Sequence, residues 1–363
     1  MDNNDRDIID FSEEVEEVEV IEEEEEVLDF TYSITSYGAD YPVDSLVKRL
    51  RNEKIKVPNF QRGFVWNLKQ SSRFIESLLL GLPVPGIFLS RDMDSADLLV
   101  IDGQQRLKSL LFFYDGIFNE RVFRLFHVQE RFEGKTYNEL ESDDRQRLDD
   151  SIIHATIVKQ DEPSEDNSSV YLVFERLNSG GLQLQPQEIR SAIYSGPFSA
   201  LLKELNNNSA WRNVYGNISP RLKDQEFILR FFAMYLYRDQ YRKPLKGFLN
   251  SYMGRNRNFN LHSEEFLRKI FIDTISFVDE SLGKRAFRPI RGLNASVYDS
   301  MMVGITQMLH QRENPPDKED FLQAYEKLLS NEEYLESTND ATSDERVVHK
   351  RLSLAIDTFK QIK

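Results

Sequence analysis

Hydrophobic and polar positions follow two different periods over the first 200 residues. The apolar runs Gly86–Ser90 and Leu98–Ile101 flank the polar turn Arg91–Asp97, an arrangement typical of a β-hairpin. Apolar residues at helical spacing follow Asn67, a suitable N-cap, and continue to Gly81. Further strands are predicted at residues 30–34, 122–126 and 152–158, and further helices at 42–50, 104–114 and from about 186. Strands and helices therefore alternate here, as in an α/β domain.

Beyond about residue 200, the apolar residues recur only at helical spacing. Helices are predicted at residues 224–242, 263–281, 296–311, 318–330 and 344–360. The apolar, aromatic-rich segment Phe227–Tyr237 is interpreted as a helix of the hydrophobic core. The whole pattern predicts an α/β domain at residues 31–200, followed by an all-α helical domain at residues 201–363.

The charge of the chain is concentrated at its start. Residues 1–29 contain fifteen acidic residues and one arginine, and so carry −14 of the net charge of −15. A run such as Glu22–Glu26 repels itself, so residues 1–30 are predicted to form a disordered acidic tail. The tail is interpreted either as a solubilising segment or as an acidic mimic that competes with nucleic acid for a basic surface of the folded part.

Composition excludes several kinds of site. The absence of cysteine excludes disulfides, a thiol nucleophile and a cysteine-based zinc site. The five histidines are scattered without metal-ligand spacing, and no P-loop motif occurs. With no run of eighteen apolar residues and no secretory signal, we expect a cytoplasmic protein without a membrane span.

The junction after Ile101 is the strongest candidate for chemistry. An apolar strand ends at Asp102, Gly103 turns the chain, and a helix begins at Gln104. Backbone N–H groups at a helix N-terminus bind anions, and Arg106 in the first turn can grip a phosphate. Asp102 can hold a metal ion or orient a water, and the two glutamines can position a water or bind a base. Alternatively, Asp102 is an ordinary N-cap and Arg106 a surface residue.

Segment Ile101–Leu107 resembles a known family. It matches the Asp-Gly-Gln-Gln-Arg signature of the N-terminal domain of GmrSD-type restriction endonucleases, a domain similar to the ParB/sulfiredoxin superfamily. Three more segments fit in order, namely residues 57–66, 75–83 and 174–190. The resemblance covers roughly residues 40–195. It implies a ParB/sulfiredoxin-like α/β fold for the first domain.

The resemblance also implies that this domain binds and hydrolyses a nucleoside triphosphate. Gly103–Arg106 fits the Gly-x-x-Arg turn that holds the phosphates in related ParB proteins. Sulfiredoxin relatives use a cysteine in that turn, and this chain has none, so that chemistry is excluded.

Gln61 and Arg62 stand among aromatic residues that precede the predicted helix at 68. An amide beside a guanidinium can read a base edge or clamp a phosphate. Alternatively, the aromatic rings belong to the core and Arg62 pairs with an acid such as Asp102. The resemblance favours both residues lining the nucleotide pocket, and it is also compatible with a DNA contact in this region.

Segment Asn178–Gly181 can form a hinge or a backbone nest before the helix that starts near Pro186. Glu188 and Arg190 lie in the first turns of that helix. Glu188 can serve a metal-bound phosphate or polarise a water. The alternative is that Glu188 simply caps the helix.

Two basic segments occur in the helical part, at residues 242–258 and 284–291. They can form a footprint for the phosphate backbone of DNA, or an ordinary solvated surface.

The resemblance, taken together with these residues, implies one function. The chain would be an NTP-binding and NTP-hydrolysing regulatory subunit of a modification-dependent restriction or antiphage defence system, using Mg²⁺ held by Asp102. The expected catalytic residues are Asp102, Gln104, Gln105 and Arg106, and the expected nucleotide-binding residues are Gln61, Arg62, Gly103, Arg106, Asn178, Glu188 and Arg190. Because the only histidine-bearing C-terminal stretch lacks an HNH pattern, the expected partners are DNA, which can be modified, and a separate nuclease subunit; an oligomer is compatible with this expectation.

Two alternatives from other classes stay open. One is a non-catalytic DNA- or protein-binding regulator with the same fold. The other is a metal-dependent nuclease built on the ParB-like pocket itself.

Overall fold

The fold is taken from a computed structural model of the chain. It describes residues 33–58, 64–92, 97–162, 168–177, 184–289, 292–339 and 341–362. The predicted acidic tail, the Gln61–Arg62 pair and the Asn178–Gly181 segment lie outside the described residues.

A five-stranded mixed sheet organises the first part of the chain. Its strands are β1 (Ser33–Pro42), β2 (Ile55–Lys56), β3 (Ile87–Arg91), β4 (Leu98–Asp102) and β7 (Ile152–Glu162), and a separate hairpin comprises β5 (Ile117–Phe118) and β6 (Arg121–Val122). The order across the large sheet is β1-β7-β3-β4-β2. Strands β1 and β7 pair antiparallel, as do β3 and β4, whereas the β7–β3 and β4–β2 pairs are parallel. The predicted hairpin of β3 and β4 is therefore confirmed.

Four helices pack with this sheet: α1 (Val43–Arg51), α2 (Leu68–Leu79), α3 (Gln104–Asp115) and α4 (Ser142–Asp150). Asn67 caps α2 as predicted, because its side chain accepts from the backbone N–H of Gln70 while the Gln70 side chain accepts from that of Asn67. Apolar faces of the helices meet the sheet in one cluster, which includes Ile75, Leu89 and Leu107.

The strand predicted at Val122–Phe126 is wrong beyond its first residue. Only Arg121 and Val122 pair as a strand. The backbone N–H of Phe123 donates to the carbonyl of Gly116, and that of Leu125 donates to the carbonyl of Lys135. These turn contacts bury the side chains of Phe123 and Leu125 without a sheet ladder. Alternating burial therefore occurs here in irregular backbone.

The rest of the described chain is helical. The helices are α5 (Ser168–Leu177), α6 (Pro186–Ile193), α7 (Pro197–Leu205), α8 (Ser209–Tyr215), α9 (Lys223–Leu236), α10 (Leu245–Arg255), α11 (Glu264–Leu282), α12 (Ala295–His310), α13 (Lys318–Leu329), α14 (Glu332–Asn339) and α15 (Glu345–Lys360). Helix α9 is the core helix predicted at Phe227–Tyr237. A Cβ at Gly304 of α12 would lie 2.9 Å from the Phe359 ring and 3.0 Å from the Ala355 backbone, so glycine allows α15 to pack closely. None of the described helices has the length and apolarity that a membrane crossing requires.

The fold class is the predicted one, an α/β region followed by helices. Its buried apolar residues form two clusters, one from Val43 to Ile157 and the other mostly from Val170 onward. Ile101 of β4 packs in the second cluster, whereas its neighbour Val100 packs in the first. The end of β4 therefore lies where the two cores meet. The domain boundary near residue 200 stays a prediction.

Candidate functional site

The strand-to-helix turn after β4 requires glycine for two reasons. Gly103 has φ 102° and ψ 8°, a left-handed conformation that residues with a Cβ rarely adopt. A Cβ at this position would also lie 2.4 Å from Cγ2 of Ile87 on β3. The turn leads straight into α3, so the backbone N–H groups of the first turn of α3 lie at the end of β4. This geometry suits an anion bound at a helix N-terminus.

Arg106 is held against the base of this turn. One guanidinium nitrogen, Nη2, donates to Oδ2 of Asp102 at 2.7 Å and to the carbonyl oxygen of Gly86 at 3.0 Å. The side chain is only 15% exposed, so Arg106 is not the surface residue of the alternative interpretation. Its Nε is buried and has no acceptor among the described residues. A cation with unused donors therefore lies beside the helix N-terminus.

Asp102 keeps one carboxylate oxygen for other contacts. Its side chain is 47% exposed, and Oδ2 receives Arg106, whereas Oδ1 receives no hydrogen bond from the described residues. The N-cap position of α3 is Gly103, and no side chain caps this helix, so the capping interpretation of Asp102 is wrong.

The carboxylate of Asp102 could bind Mg²⁺ together with waters and substrate phosphates. Mg²⁺ keeps several waters and is often bound by one or two carboxylates together with substrate phosphates. The described residues contain no group of three acidic or histidine side chains that could hold a metal by themselves. Asp102 is the described carboxylate at this turn that could hold a metal together with phosphate oxygens.

Gln105 connects α3 to the segment that precedes α2. Its Oε1 accepts from the backbone N–H of Val65 at 3.0 Å and from that of Trp66 at 3.2 Å. The second predicted motif, which contains Gln61 and Arg62, ends at this point of the chain. Gln104 is buried and has a bonding partner. Gln105 therefore bonds to the segment before α2 and Gln104 is buried, so neither is a free group on the surface.

The aromatic residues after Arg62 belong to the core, as the alternative interpretation predicts. Phe64 meets the rings of Phe112 and Phe118 edge-on, with centroids 4.9 and 5.5 Å away. Trp66 packs edge-on against Phe74 at 5.8 Å. These contacts fix the end of the segment against α2 and α3.

Glu188 and Arg190 lie in a second polar cluster, on α6. Oε2 of Glu188 accepts from the backbone N–H of Gln185 at 2.7 Å and pairs with Arg221 at 2.8 Å. The carboxylate thus closes a capping box, as the capping interpretation predicts.

Arg190 is almost fully buried, and its partners lie in the helical part. It donates to Glu226 at 2.8 Å and to Oδ1 of Asn250 at 2.8 Å. These contacts tie α6 to α9 and α10. Glu188 and Arg190 thus bond to different neighbours from those of Asp102 and Arg106, so a shared nucleotide pocket stays a prediction.

The basic segments of the helical part make many internal contacts. Lys246 pairs with Glu175 at 2.7 Å, and Arg257 pairs with Asp92 at 2.8 Å. Arg288 donates to the carbonyl oxygens of Val214 and Tyr215, at the end of α8. These side chains hold the fold together, and the DNA footprint on these segments stays a prediction.

Sequence reasoning missed two features near the junction. The first is Gly86, whose carbonyl holds Arg106 and whose missing Cβ leaves room for the carbonyl oxygen of His154, at 2.8 Å from that position. The Pro85–Gly86 step before β3 signals a turn but not this contact. The second is a cleft of about 780 Å³ beside the second turn of α3, lined by Lys108 among others. In the sequence, Lys108 looks like any lysine on a helix surface.

The β4–α3 junction lies within a segment that matches the model of a known protein family. The model of the GmrSD restriction endonuclease N-terminal domain matches residues 43–195. No curated protein matches the chain. The matched segment begins with α1 and ends just after α6, so it contains the β4–α3 turn with Asp102 and Arg106, and also Glu188 and Arg190. Residues 43–195 are therefore similar to the N-terminal domain of GmrSD restriction endonucleases.

Proposed function

We propose that this chain is a regulatory subunit of a modification-dependent restriction or antiphage defence system, and that it binds and hydrolyses a nucleoside triphosphate. The family of residues 43–195 supports the restriction role and an interaction with DNA. The observation that carries the nucleotide proposal is the β4–α3 turn, where Gly103, the N-terminus of α3 and Arg106 stand together.

The turn supplies two kinds of group to a triphosphate. Gly103 allows the left-handed turn that places the N-terminus of α3 directly after β4, where its backbone N–H groups can bind phosphate oxygens. Arg106 adds a guanidinium whose planar donors suit phosphate oxygens. Asp102 orients that guanidinium from the end of β4.

A bound Mg²⁺, with Asp102 as its protein ligand, would neutralise part of the triphosphate charge. The same carboxylate can orient the attacking water through Oδ1, which accepts no hydrogen bond from the described residues. Gln105 holds Val65 and Trp66 against α3. Gln61 and Arg62, earlier in the same motif, are proposed to contact the nucleotide.

Nucleotide turnover would switch the interaction with DNA or with a separate nuclease subunit. The chain would sense modified DNA and communicate the result, while the nuclease cuts. In this arrangement DNA that carries the modification changes the rate of turnover.

Phosphate release by the purified full chain tests the proposal. It is measured with Mg²⁺ and each of the four ribonucleoside triphosphates, with and without DNA. We expect turnover by the wild type and at least about 100-fold less by Arg106→Ala and Asp102→Ala, since each removes a charged group that contacts the phosphates or their metal. Arg124→Ala is the control, because it removes an arginine that pairs with a carboxylate, Glu139, away from the turn.

Circular dichroism of each variant separates loss of the site from loss of the fold. No release by the folded wild type under any of these conditions would contradict hydrolysis and favour the non-catalytic regulator. Plasmid nicking by the wild type that disappears in Arg106→Ala would favour the nuclease alternative.

A further inference from the structure

A second candidate binding site lies in the cleft between α3 and the α6–α7 region. The cleft encloses about 780 Å³, which is within the usual range for small-molecule sites. One wall comes from the second turn of α3 and the neighbouring strands β2 and β4, and the other from residues 191–203. It is thus lined by both parts of the fold.

Lys108 is the unusual residue of the first wall. It is partly buried, and burial lowers the pKa of its ammonium group below the ordinary value. It forms no hydrogen bond or ion pair with the described residues, although nearby lysines such as Lys54 and Lys56 both pair with Asp97. A partly dehydrated cation without a carboxylate is unfavourable unless something else binds it.

The facing wall presents hydroxyl groups. Ser191, Ser195 and Ser199 recur every four residues along it, separated by residues as small as Ala192 and Gly196. The hydroxyl oxygen of Ser191 is buried and has no hydrogen-bond partner among the described residues. Buried polar atoms of this kind are rare in folded proteins, so this one also lacks the group that would satisfy it.

The acidic residues of the cleft are mostly neutralised by neighbours. Asp97 pairs with Lys54 and Lys56, and Asp92 pairs with Arg257. Glu53 is exposed at the rim. Lys203, on the facing wall, adds another cation that pairs with no described residue. The cleft therefore favours an anion.

The remaining lining is apolar. Leu99, Leu107 and Leu111 contribute from β4 and α3, and Val57 and Pro58 follow β2. A ligand that fills this space needs an apolar body as well as a charged group.

We propose that this cleft binds a phosphomonoester with an apolar body, with Lys108 and Ser191 contacting the phosphate from opposite walls. An ammonium and hydroxyl donors suit the three oxygens of a phosphate group, and the leucines suit the rest of the ligand. Because the two walls come from the sheet region and from the helical region, an occupied cleft would also fix these parts against each other.

This site is separate from the proposed triphosphate site. Leu98 and Leu99 in the cleft and Asp102 at the turn lie towards opposite ends of β4, about 10 to 13 Å apart along the strand. Lys108 lies about 200° around α3 from Arg106. The two proposals can therefore fail independently.

Ligand-observed ³¹P NMR titration with phenyl phosphate, using the full chain, tests this site. We expect the wild type to bind, and Lys108→Met to bind at least about 10-fold more weakly, because it keeps the length of the side chain but removes the charge-assisted hydrogen bond. Ser191→Leu, which fills the cleft from the other wall, should weaken binding to a similar extent. Lys69→Met, at an exposed lysine of α2, is the control and should bind like the wild type. Arg106→Ala tells whether the probe occupies the triphosphate site instead.

Any of the following results would contradict the proposed site. Absence of binding by the wild type at millimolar phenyl phosphate would do so, as would unchanged binding by Lys108→Met and Ser191→Leu. Loss of binding in Arg106→Ala alone would show that phenyl phosphate occupies the β4–α3 turn instead.

Discussion

At the scale of single residues, the proposed site depends on contacts between groups far apart in the sequence. The Asp-Gly step after an apolar strand predicts a turn, and the resemblance predicts the importance of Arg106. Neither predicts that the guanidinium is held by the carbonyl of Gly86, twenty residues earlier. Nor could any local pattern reveal that Lys108 lines a cleft, because its facing wall begins at Ser191.

Gly103→Ala tests the geometry of the turn. Alanine would have to adopt φ near 102° and place its Cβ against Ile87, so we expect a loss of about 3 kcal/mol in the free energy of unfolding. Gly116→Ala is the matched control, because Gly116 has φ 73° but a Cβ there would meet no neighbouring atom within 4 Å; it should lose only about 1 kcal/mol. Urea denaturation measures both, and equal losses would mean that the Ile87 contact is unimportant.

At the scale of elements, local sequence patterns predict several helices and strands, but they do not predict how distant strands pair. The capping box of α2, the β3–β4 hairpin and the start of α6 at Pro186 follow from short patterns. The sheet order β1-β7-β3-β4-β2 does not, because β7 lies between β1 and β3 in the sheet although more than a hundred residues separate β7 from β1 in the chain. The wrong prediction of a strand at Phe123–Phe126 has the same cause. Alternating apolar and polar residues indicate alternating burial, whereas a strand also needs a partner strand.

Gln105→Ala tests the link between α3 and the segment before α2. Removing Oε1 leaves the N–H groups of Val65 and Trp66 without their acceptor, at a loss of about 1.4 kcal/mol or more. We therefore expect amide hydrogen exchange at Val65 and Trp66 to become at least about 10-fold faster.

Gln70→Ala provides the comparison for that variant. Its side chain accepts from the N–H of Asn67, so the same chemical change should accelerate exchange at Asn67 and leave the two earlier amides unaffected. Unchanged exchange at Val65 and Trp66 in Gln105→Ala would show that other contacts hold this segment.

At the scale of the whole molecule, polar contacts join the sheet region to the helices. Arg257, after α10, donates to Asp92 at the end of β3 and to the carbonyl oxygen of Ser195, and it passes against Gly196, where a Cβ would lie 2.9 Å away. These residues also line the cleft of the proposed phosphate site. Sequence reasoning interpreted Arg257 as one residue of a basic surface segment, because its acidic partner lies 165 positions away.

A double-mutant cycle on Arg257 and Asp92 tests whether this contact couples the two parts. Both side chains are mostly buried, at 17% and 22% exposed, so their pair should contribute more than an ordinary surface ion pair. We expect a coupling of about 1 kcal/mol from urea denaturation of Arg257→Ala, Asp92→Ala and the double variant. The exposed pair of Lys48 and Asp44 on α1 is the control, with a coupling of about 0.5 kcal/mol or less. Equal couplings for the two pairs would mean that Arg257 does not connect the parts.

The measurement that tests the central claim most directly is the binding of non-hydrolysable analogues of the four ribonucleoside triphosphates to the full chain by calorimetry with Mg²⁺. The account predicts that the wild type binds at least one analogue, that Arg106→Ala weakens this binding at least about 10-fold, and that Arg124→Ala binds like the wild type. Equal affinity in Arg106→Ala and the wild type, or no binding of any of the four analogues by the folded wild type, would contradict a triphosphate site at the β4–α3 turn.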